Sequence, residues 1–154
     1  MDVFLETERL VLRRFTGGDL DLYYERFPGY GFWAAVEKAT GQFLGWFHLR
    51  PPEGASPDEP ELGYRLRRSA WGKGYATEGS RALIRVAFTE LGARRVYAET
   101  MAVNLGSRRV MEKAGLQVRR FHQPWPERIE GDEHGDVEYA LTRAEWEELD
   151  AGEG

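Results

Sequence analysis

The stretch WGKGYAT, Trp71 to Thr77, combines two glycines, a lysine and small side chains in a spacing that suits phosphate binding. It follows the alternating run ELGYRLR and precedes apolar residues at helical spacing. Glycine lets the backbone approach a ligand closely, and the free N–H groups and dipole at the start of a helix attract anions. The stretch therefore predicts a phosphate-binding turn between a strand and a helix. A glycine turn that only joins these two elements has the same pattern.

Two better-known phosphate-binding motifs fit this stretch poorly. A Walker loop needs a hydroxyl residue directly after its lysine, whereas Gly74 follows Lys73. A dinucleotide-binding fingerprint needs a third glycine, where this chain has Thr77. It also needs an acidic residue about 20 positions further on, where this chain has the basic residues Arg94 and Arg95. The remaining interpretation is a basic turn that delivers its glycines to a helix N-terminus.

Charge and composition limit what the phosphate can belong to. The chain has 154 residues, of which 42% are hydrophobic and 13% aromatic, as expected for a single folded domain over residues 1–154. The net charge of −5 argues against a nucleic-acid partner, because domains that bind nucleic acids are usually basic. Arginines cluster only locally, near Arg67 and near Arg108, which favours a small anionic ligand.

Several kinds of site and location are not expected from this sequence. The chain has no cysteine, which excludes disulfides, a thiol nucleophile and thiolate zinc sites. His48, His122 and His134 lack metal-ligand spacing, so no metal is predicted. No apolar run approaches the ~20 residues of a membrane span, and the acidic start does not resemble a signal peptide. No membrane partner is therefore expected, and a cytoplasmic location is predicted.

Strands and helices alternate along the predicted structure. Strands are predicted at 9–15, 32–49 (a hairpin), 61–67, 93–104, 116–122 and 136–141, from apolar residues that alternate with polar ones. Helices are predicted at 20–27, 75–91, 107–115 and 142–149. Asn104 is placed to cap the third helix, and Thr142 and Glu145 have capping-box spacing in the fourth. The predicted class is α+β, with a mixed sheet.

The segment from Glu61 to Leu116 resembles the GNAT superfamily of acetyl-CoA-dependent N-acetyltransferases, because the glycine turn, long helix, strand and N-x-x-S helix occur in the family's order. Within the family it resembles the Rim-type branch of ribosomal-protein alanine N-acetyltransferases. The resemblance implies a GNAT-like domain with a mixed central β-sheet flanked by helices. It implies acetyl-CoA as co-substrate and transfer of the acetyl group to a primary amine, either a protein N-terminus or a small molecule. A homodimer is compatible with it.

The resemblance also implies which residues bind acetyl-CoA. The pyrophosphate is expected on the turn, the pantetheine arm along the end of the preceding strand, and Asn104 either on the pantetheine amides or as a helix cap. The expected cofactor-binding residues are Leu66, Arg67, Trp71, Gly72, Lys73, Gly74, Tyr75, Ala76, Thr77 and Asn104. Trp71 stands where many family members have glutamine or arginine, a variant associated with the Rim-type branch.

Two catalytic residues follow from the resemblance. Acetyl transfer needs a neutral amine and a stabilised leaving thiolate. Glu61, at the start of a strand, is the candidate base, and a solvated charge at a strand end is the equally supported alternative. Many family members have a tyrosine seven positions after the asparagine, where this chain has Met111, so Ser107 is the candidate to stabilise the thiolate. A catalytically silent acyl-CoA-binding module is the alternative function.

The acceptor side is predicted to be open. Family members usually connect the first two strands through two helices, whereas only residues 16–30 fill that space here, enough for one short helix. The resemblance therefore implies a shortened N-terminal helical region. Trp125, between prolines in a polar loop, is the candidate for the rim of the acceptor pocket, while Trp33 and Phe47 are expected in the core.

Overall fold

The computed structural model describes residues 3–15, 24–51, 56–122 and 135–153. The described residues form eight strands: β1 (Val3–Glu6), β2 (Leu10–Arg14), β3 (Gly31–Glu37), β4 (Phe43–Arg50), β5 (Glu61–Leu66), β6 (Arg95–Met101), β7 (Gln117–His122) and β8 (Asp136–Thr142). Three α-helices have both ends among the described residues: α1 (Tyr75–Thr89), α2 (Leu105–Lys113) and α3 (Arg143–Glu153). Residues 24–26 are helical as well. A short 3-10 turn, Arg68–Ala70, lies between β5 and α1.

All eight strands lie in one mixed sheet, in the order β1-β2-β3-β4-β5-β6-β8-β7. Six of the seven neighbouring pairs are antiparallel, and β5 and β6 form the parallel pair. Parallel neighbours need a crossover, which α1 supplies. The predicted α+β class and mixed central sheet are confirmed.

Helix α1 packs closely on the sheet because a glycine faces the strands. A Cβ atom built on Gly79 would lie 2.3 Å from Cζ of Phe47, so only glycine lets the helix approach this ring. Phe47 and Trp33 are fully buried, as predicted, and Leu83 and Ile84 of α1 fill the space beside them. This packing fixes the start of α1 near the end of β5.

Local capping sequences set the ends of two helices as predicted. The Asn104 side chain accepts a hydrogen bond from the Ser107 amide at 3.1 Å and caps α2. Thr142 and Glu145 exchange reciprocal bonds of 2.8 and 3.2 Å at the start of α3. Such caps stabilise a helix by about 1 kcal/mol. The first cap also fixes Ser107 in the first turn of α2.

Some predicted boundaries are wrong. The strand predicted at 93–104 ends at Met101, because the Asn104 amide turns back to bond the Met101 carbonyl at 2.9 Å. Strand β1 was not predicted, and it pairs antiparallel with β2 through an irregular register. Of the helix predicted at 20–27, residues 24–26 are helical as predicted. Residues 20–23 of that helix lie outside the described residues, as do residues 16–23 of the segment 16–30. None of the described helices has the length and apolar character to span a membrane.

Candidate functional site

Strands β5 and β6 separate soon after they meet. Their parallel pairing is limited to Glu61 opposite Tyr97, supported by a 3.2 Å bond from the Tyr97 amide to the Pro60 carbonyl. Beyond this point a cavity of about 260 Å³ lies between the two strands and helices α1 and α2. The residues around it that matter for chemistry are Glu61, Tyr64, Ser80, Glu99, Asn104 and Ser107.

The backbone of β5 faces this gap at alternate residues. The Arg67 amide bonds the Leu44 carbonyl at 2.7 Å, and the Arg67 carbonyl accepts from the Ala70 amide at 2.8 Å. In an antiparallel ladder the residues between such pairs point their backbone groups the other way, here Tyr64 and Leu66 toward the gap. Both backbone groups of Arg67 are therefore engaged within the protein, and the expected pantetheine contact at Arg67 stays a prediction. Leu66 keeps the predicted position, with Tyr64 beside it.

Trp71 ties the end of β5 to the glycine turn. Its indole Nε1 donates a 2.8 Å hydrogen bond to the Leu66 carbonyl, which would otherwise face the gap. The Trp71 side chain is 60% exposed, and the Arg68 guanidinium lies 5.6 Å from the centre of its ring. Trp71 therefore holds the turn in place and presents an aromatic surface beside a cation.

The glycine turn has the backbone conformation that an anion-binding turn requires. Gly72 and Gly74 have φ angles of +74° and +84°, in the left-handed region that favours glycine. Gly74 is the N-cap of α1 and supplies no side-chain cap, so the first N–H groups of the helix have no capping side chain. Lys73 lies within the turn, and Ala76 and Thr77 lie in the first helical turn. The predicted phosphate turn therefore has the expected form.

Arg9, in the turn between β1 and β2, supports the glycine turn, and nothing in the sequence pattern indicates it. Its guanidinium donates to the Lys73 carbonyl at 2.9 Å and to the Glu78 carboxylate at 2.7 Å, and lies 4.3 Å from the centre of the Tyr75 ring. Burial raises the pKa of Glu78, but hydrogen bonds from Thr7 and Arg9 outweigh it and lower the pKa overall. Arg9 therefore neutralises a carboxylate that would otherwise repel an anion.

Strand alternation places the candidate groups on two sides of the sheet. Glu61 on β5 and Glu99 on β6 share one face, because residues two apart along a strand point the same way and Glu61 lies opposite Tyr97. Tyr64 and Ala98 share the other face, where the helices pack. The cavity borders residues of both faces, so groups on either side of the sheet have access to it.

Glu61 is held as a charged carboxylate. Its Oε1 lies 3.2 Å from Nε2 of His48 and accepts a 3.1 Å bond from Nε of Arg50. The hydrogen bond from His48 lowers the pKa of Glu61 most, and Arg50 adds to the effect, against a burial that raises it. A carboxylate with a lowered pKa is a weak base, so this environment favours charge pairing over proton abstraction.

Glu99 has the opposite electrostatic environment, and sequence reasoning did not single it out. Its side chain is 38% exposed, and burial of the remainder raises its pKa, which Glu138 and Glu61 raise further while His122 lowers it. A raised pKa brings a carboxylate closer to the range of an effective base at neutral pH. Only its position in the cavity, which depends on the splay of β5 and β6, indicates this role.

Glu99, His122 and Glu138 form the one cluster with metal-ligand side chains that the described part of the chain contains, with ligand atoms within 4.8 Å of one another. Glu138 is paired with Arg95 at 3.0 Å and with Arg120 at 3.5 Å. Two guanidinium groups on one carboxylate disfavour a further cation there. The absence of a metal stays a prediction, and His134 lies outside the described residues, as does Trp125.

Ser107 lies at the opposite wall of the cavity from the strand carboxylates. Its hydroxyl is 3.2 Å from the hydroxyl of Tyr64, which reaches across from β5. Met111, where many family members have tyrosine, is 6% exposed and borders the same cavity. Asn104 also borders the cavity while its side chain caps α2, so the two roles predicted for it are compatible.

Ser80, on the buried face of α1, has a polar group without a protein partner. Its residue is 1% exposed and borders the cavity, and its hydroxyl has no hydrogen-bond partner among the described residues. An unsatisfied buried hydroxyl costs about 1–3 kcal/mol. This arrangement fits a site in which a polar ligand completes the hydrogen bonding.

A parting pair of parallel strands beside a glycine turn at a helix N-terminus defines a site for an extended ligand with a phosphate end. The chain belongs to the acetyltransferase (GNAT) domain family, whose model matches residues 24–117. The resemblance stated from the sequence is thereby confirmed.

The known relatives agree with this family. The chain is 41% identical over 126 residues to the FsC-acetyl coenzyme A-N(2)-transacetylase of Aspergillus fumigatus, covering 77% of this chain and 53% of that protein. The chain spans about half the length of the curated relatives that it matches. The fold resembles a GNAT-family acetyltransferase from Bacillus anthracis, with a TM-score of 0.71, 20% identity, and coverage of 94% of this chain and 99% of the other.

A ribosomal-protein-S5-alanine acetyltransferase from Vibrio fischeri shares the fold as well, with a TM-score of 0.68 and 16% identity over 81% of this chain and 68% of the other. This likeness shows the shared fold alone, and the resemblance to the Rim-type branch stays a prediction.

Gly74→Glu should abolish stabilisation by acetyl-CoA, because it places a carboxylate and side chain in the anion site. A ligand at 100 times its Kd stabilises a protein by about 2.7 kcal/mol, which thermal unfolding detects. Gly92→Glu is the matched control: Gly92 is also left-handed, with φ of +68°, and has open space around it, but lies beyond the far end of α1. Each variant should lose roughly 1–2 kcal/mol of stability without ligand. Equal ligand responses in both would place the phosphate elsewhere.

Ser80→Ala should have opposite effects on the free and the bound protein. Without ligand the variant should be more stable by about 1 kcal/mol, because an unsatisfied hydroxyl is removed. Its affinity for acetyl-CoA should fall about threefold to tenfold, through loss of one hydrogen bond. Chemical denaturation and titration calorimetry measure the two effects. Unchanged affinity would show that no ligand group bonds this hydroxyl.

Proposed function

We propose that the protein is an acetyl-CoA-dependent N-acetyltransferase that transfers the acetyl group to a primary amine. The observation that carries this proposal is the gap between β5 and β6, with its cavity beside the glycine turn at the start of α1. The family uses acetyl-CoA, and the name of the Aspergillus relative joins acetyl coenzyme A to an N-transacetylase activity. Both support the same co-substrate.

In this proposal the turn 72–77 binds the pyrophosphate on its backbone N–H groups, and Arg9 keeps the turn in place. The pantetheine arm lies in the gap along Tyr64 and Leu66, where its amides meet the outward backbone groups of β5 and the hydroxyl of Ser80. This path leads the thioester toward the part of the cavity between Glu99 and Ser107.

We infer that Glu99 is the base that receives the proton of the acceptor amine, directly or through water. An α-amino group has a pKa near 8, so a modest base is sufficient. Glu99 borders the cavity with a raised pKa, whereas His48 and Arg50 hold Glu61 charged. Glu61, the base predicted from the sequence, then acts mainly by fixing His48 beside the acceptor. One experiment tests the assignments of Glu99 and Glu61.

That experiment compares the pH dependence of kcat/KM in Glu99→Gln and Glu61→Gln. Below the pKa of the amine, kcat/KM should fall with unit slope in every variant, and wild type should gain a second unit of slope below the raised pKa of Glu99. Glu99→Gln should lower kcat/KM by about 100-fold near neutral pH and lose the second slope. Glu61→Gln should retain the second slope, because a group with a lowered pKa stays ionised across this range. The reverse pattern would assign the base to Glu61.

A catalytically silent acyl-CoA-binding module is the second candidate, favoured by Met111 at the position where many family members have tyrosine. Release of free thiol from acetyl-CoA separates the two functions. We expect release that depends on an added amine when α-amino peptides, polyamines, aminoglycosides and amino acids are screened. Binding of acetyl-CoA without release in any of these reactions would support the module.

The acceptor, the oligomeric state and the cytoplasmic location stay predictions. A short connection over residues 16–30 predicts an open acceptor side, which a bulky acceptor or a second subunit would cover. We expect a high Michaelis constant for small amines, measured on a protein that sedimentation shows to be monomeric. A low-micromolar constant under those conditions would contradict an open acceptor side.

A further inference from the structure

We propose that Tyr64 is a catalytic residue of this site: with Ser107 it donates the proton that the departing thiolate of coenzyme A receives. The inference rests on the proposed acetyltransferase function and adds to it a proton donor from the strand wall. It would supply from β5 the hydroxyl that many family members carry on the helix at the position of Met111.

The hydroxyl groups of Tyr64 and Ser107 meet in the cavity. Tyr64 on β5 and Ser107 on α2 lie on opposite walls of the cavity, and their oxygens are 3.2 Å apart. Either hydroxyl is able to donate to the other, so the pair holds one proton that is free to point toward a third atom in the cavity. Met111, on α2 with Ser107, also borders the cavity. Its thioether has no proton to donate.

Both hydroxyl groups are held in place by the residues around them. The Tyr64 ring lies 5.9 Å from the ring of Phe47, which is fully buried against Gly79. Ser107 is fixed by the bond from its amide to the Asn104 side chain at the N-cap of α2. Fixed donors aimed at developing charge are worth more than mobile ones, because they need no reorganisation during the reaction.

The groups for the two proton transfers, from the amine and to the sulfur, lie on different faces of the sheet. Glu99 and Glu61 approach the cavity from one face of the sheet, while Tyr64 and Ser107 approach it from the face covered by helices. An amine that attacks from the carboxylate side leaves the sulfur on the hydroxyl side. The thiolate then forms next to the pair of hydroxyl groups.

The proposed transfer forms one C–N bond and breaks one C–S bond. The amine nitrogen forms a bond to the thioester carbonyl carbon, and the C–S bond breaks with its electron pair on sulfur. The thiolate takes a proton from Tyr64, directly or through Ser107, and the nitrogen loses a proton to the carboxylate. Solvent returns that proton to the phenolate, so the products are an amide and the free thiol of coenzyme A. Burial raises the pKa of Tyr64 above its usual value despite the bond to Ser107, which keeps the phenol protonated before each turnover.

Tyr64→Phe tests the proposal with a ring that keeps the contact to Phe47. We expect kcat to fall by about 100-fold while KM for acetyl-CoA stays nearly unchanged, because the hydroxyl acts only when charge develops on sulfur. Tyr30→Phe is the matched control, since the Tyr30 hydroxyl is bonded to the Pro57 carbonyl at 2.7 Å, outside the cavity. The control should retain wild-type kinetics. A raised KM for acetyl-CoA with an unchanged kcat would assign Tyr64 to ground-state binding instead.

A second measurement does not depend on turnover. The affinities of coenzyme A and acetyl-CoA are compared across pH, because only coenzyme A has a free thiol that ionises at alkaline pH. In wild type the ratio of the two affinities should rise with pH as the hydroxyl pair stabilises the bound thiolate, and the rise should shrink in Tyr64→Phe. A ratio that changes equally in both proteins would overturn the proposal.

The double variant Tyr64→Phe with Ser107→Ala shows whether the two residues act as a unit. If they share one proton, the double variant should lose little more activity than the more severe single variant. Independent, multiplied losses would show that Tyr64 and Ser107 act separately. If wild type itself fails to bind acetyl-CoA, the proposed function fails; if it binds and reacts while Tyr64→Phe matches it, only the role of Tyr64 fails.

Discussion

The separation of β5 and β6 is the constraint on which the rest of the site depends. Parallel neighbours normally satisfy each other's backbone groups, but here the pairing is limited to Glu61 opposite Tyr97. Backbone groups of Tyr64 and the Leu66 amide are left facing the gap between the strands, while Trp71 bonds the Leu66 carbonyl. Unsatisfied buried N–H and C=O groups are costly. The sheet therefore contains a strand-shaped vacancy, and an extended ligand with amide groups is the kind of molecule that satisfies it. The same vacancy lets side chains from both faces of the sheet reach one volume.

The glycine turn adds an anion-binding end to this vacancy. The negative charge of Glu78 beside the turn is balanced by Arg9, a residue distant in sequence. Glu78 in the first turn of α1 suits the helix dipole in the free protein, but the same negative charge opposes a phosphate. Arg9 resolves this conflict, because it pairs with Glu78 and also holds the Lys73 carbonyl. The β1–β2 turn, although remote in sequence, is therefore part of the proposed cofactor site.

What the sequence predicts here is local, and what it does not predict depends on contacts between distant segments. Periodicity and capping motifs indicate most strands, the three helices and the glycine turn, because these features are set within a few residues. The role of Arg9, the engagement of the Arg67 backbone and the pairing of Tyr64 with Ser107 join residues 23 to 64 positions apart, which no local pattern records. Glu99 is a similar case, because its pKa is set by burial and by neighbours on other strands. Strand β1 has too weak an alternation to be separated from an unpaired terminus.

Burial acts in the same direction on two groups and gives them complementary roles. It raises the pKa of Glu99 on one face of the sheet and of Tyr64 on the other. For a carboxylate, a raised pKa means a stronger base; for a phenol, it means a proton that is kept until a strong acceptor appears. A thiolate that forms in a poorly solvated cavity is such an acceptor, because it lacks the water that would otherwise stabilise its charge. The same burial that favours proton removal from the amine thus favours proton delivery to sulfur.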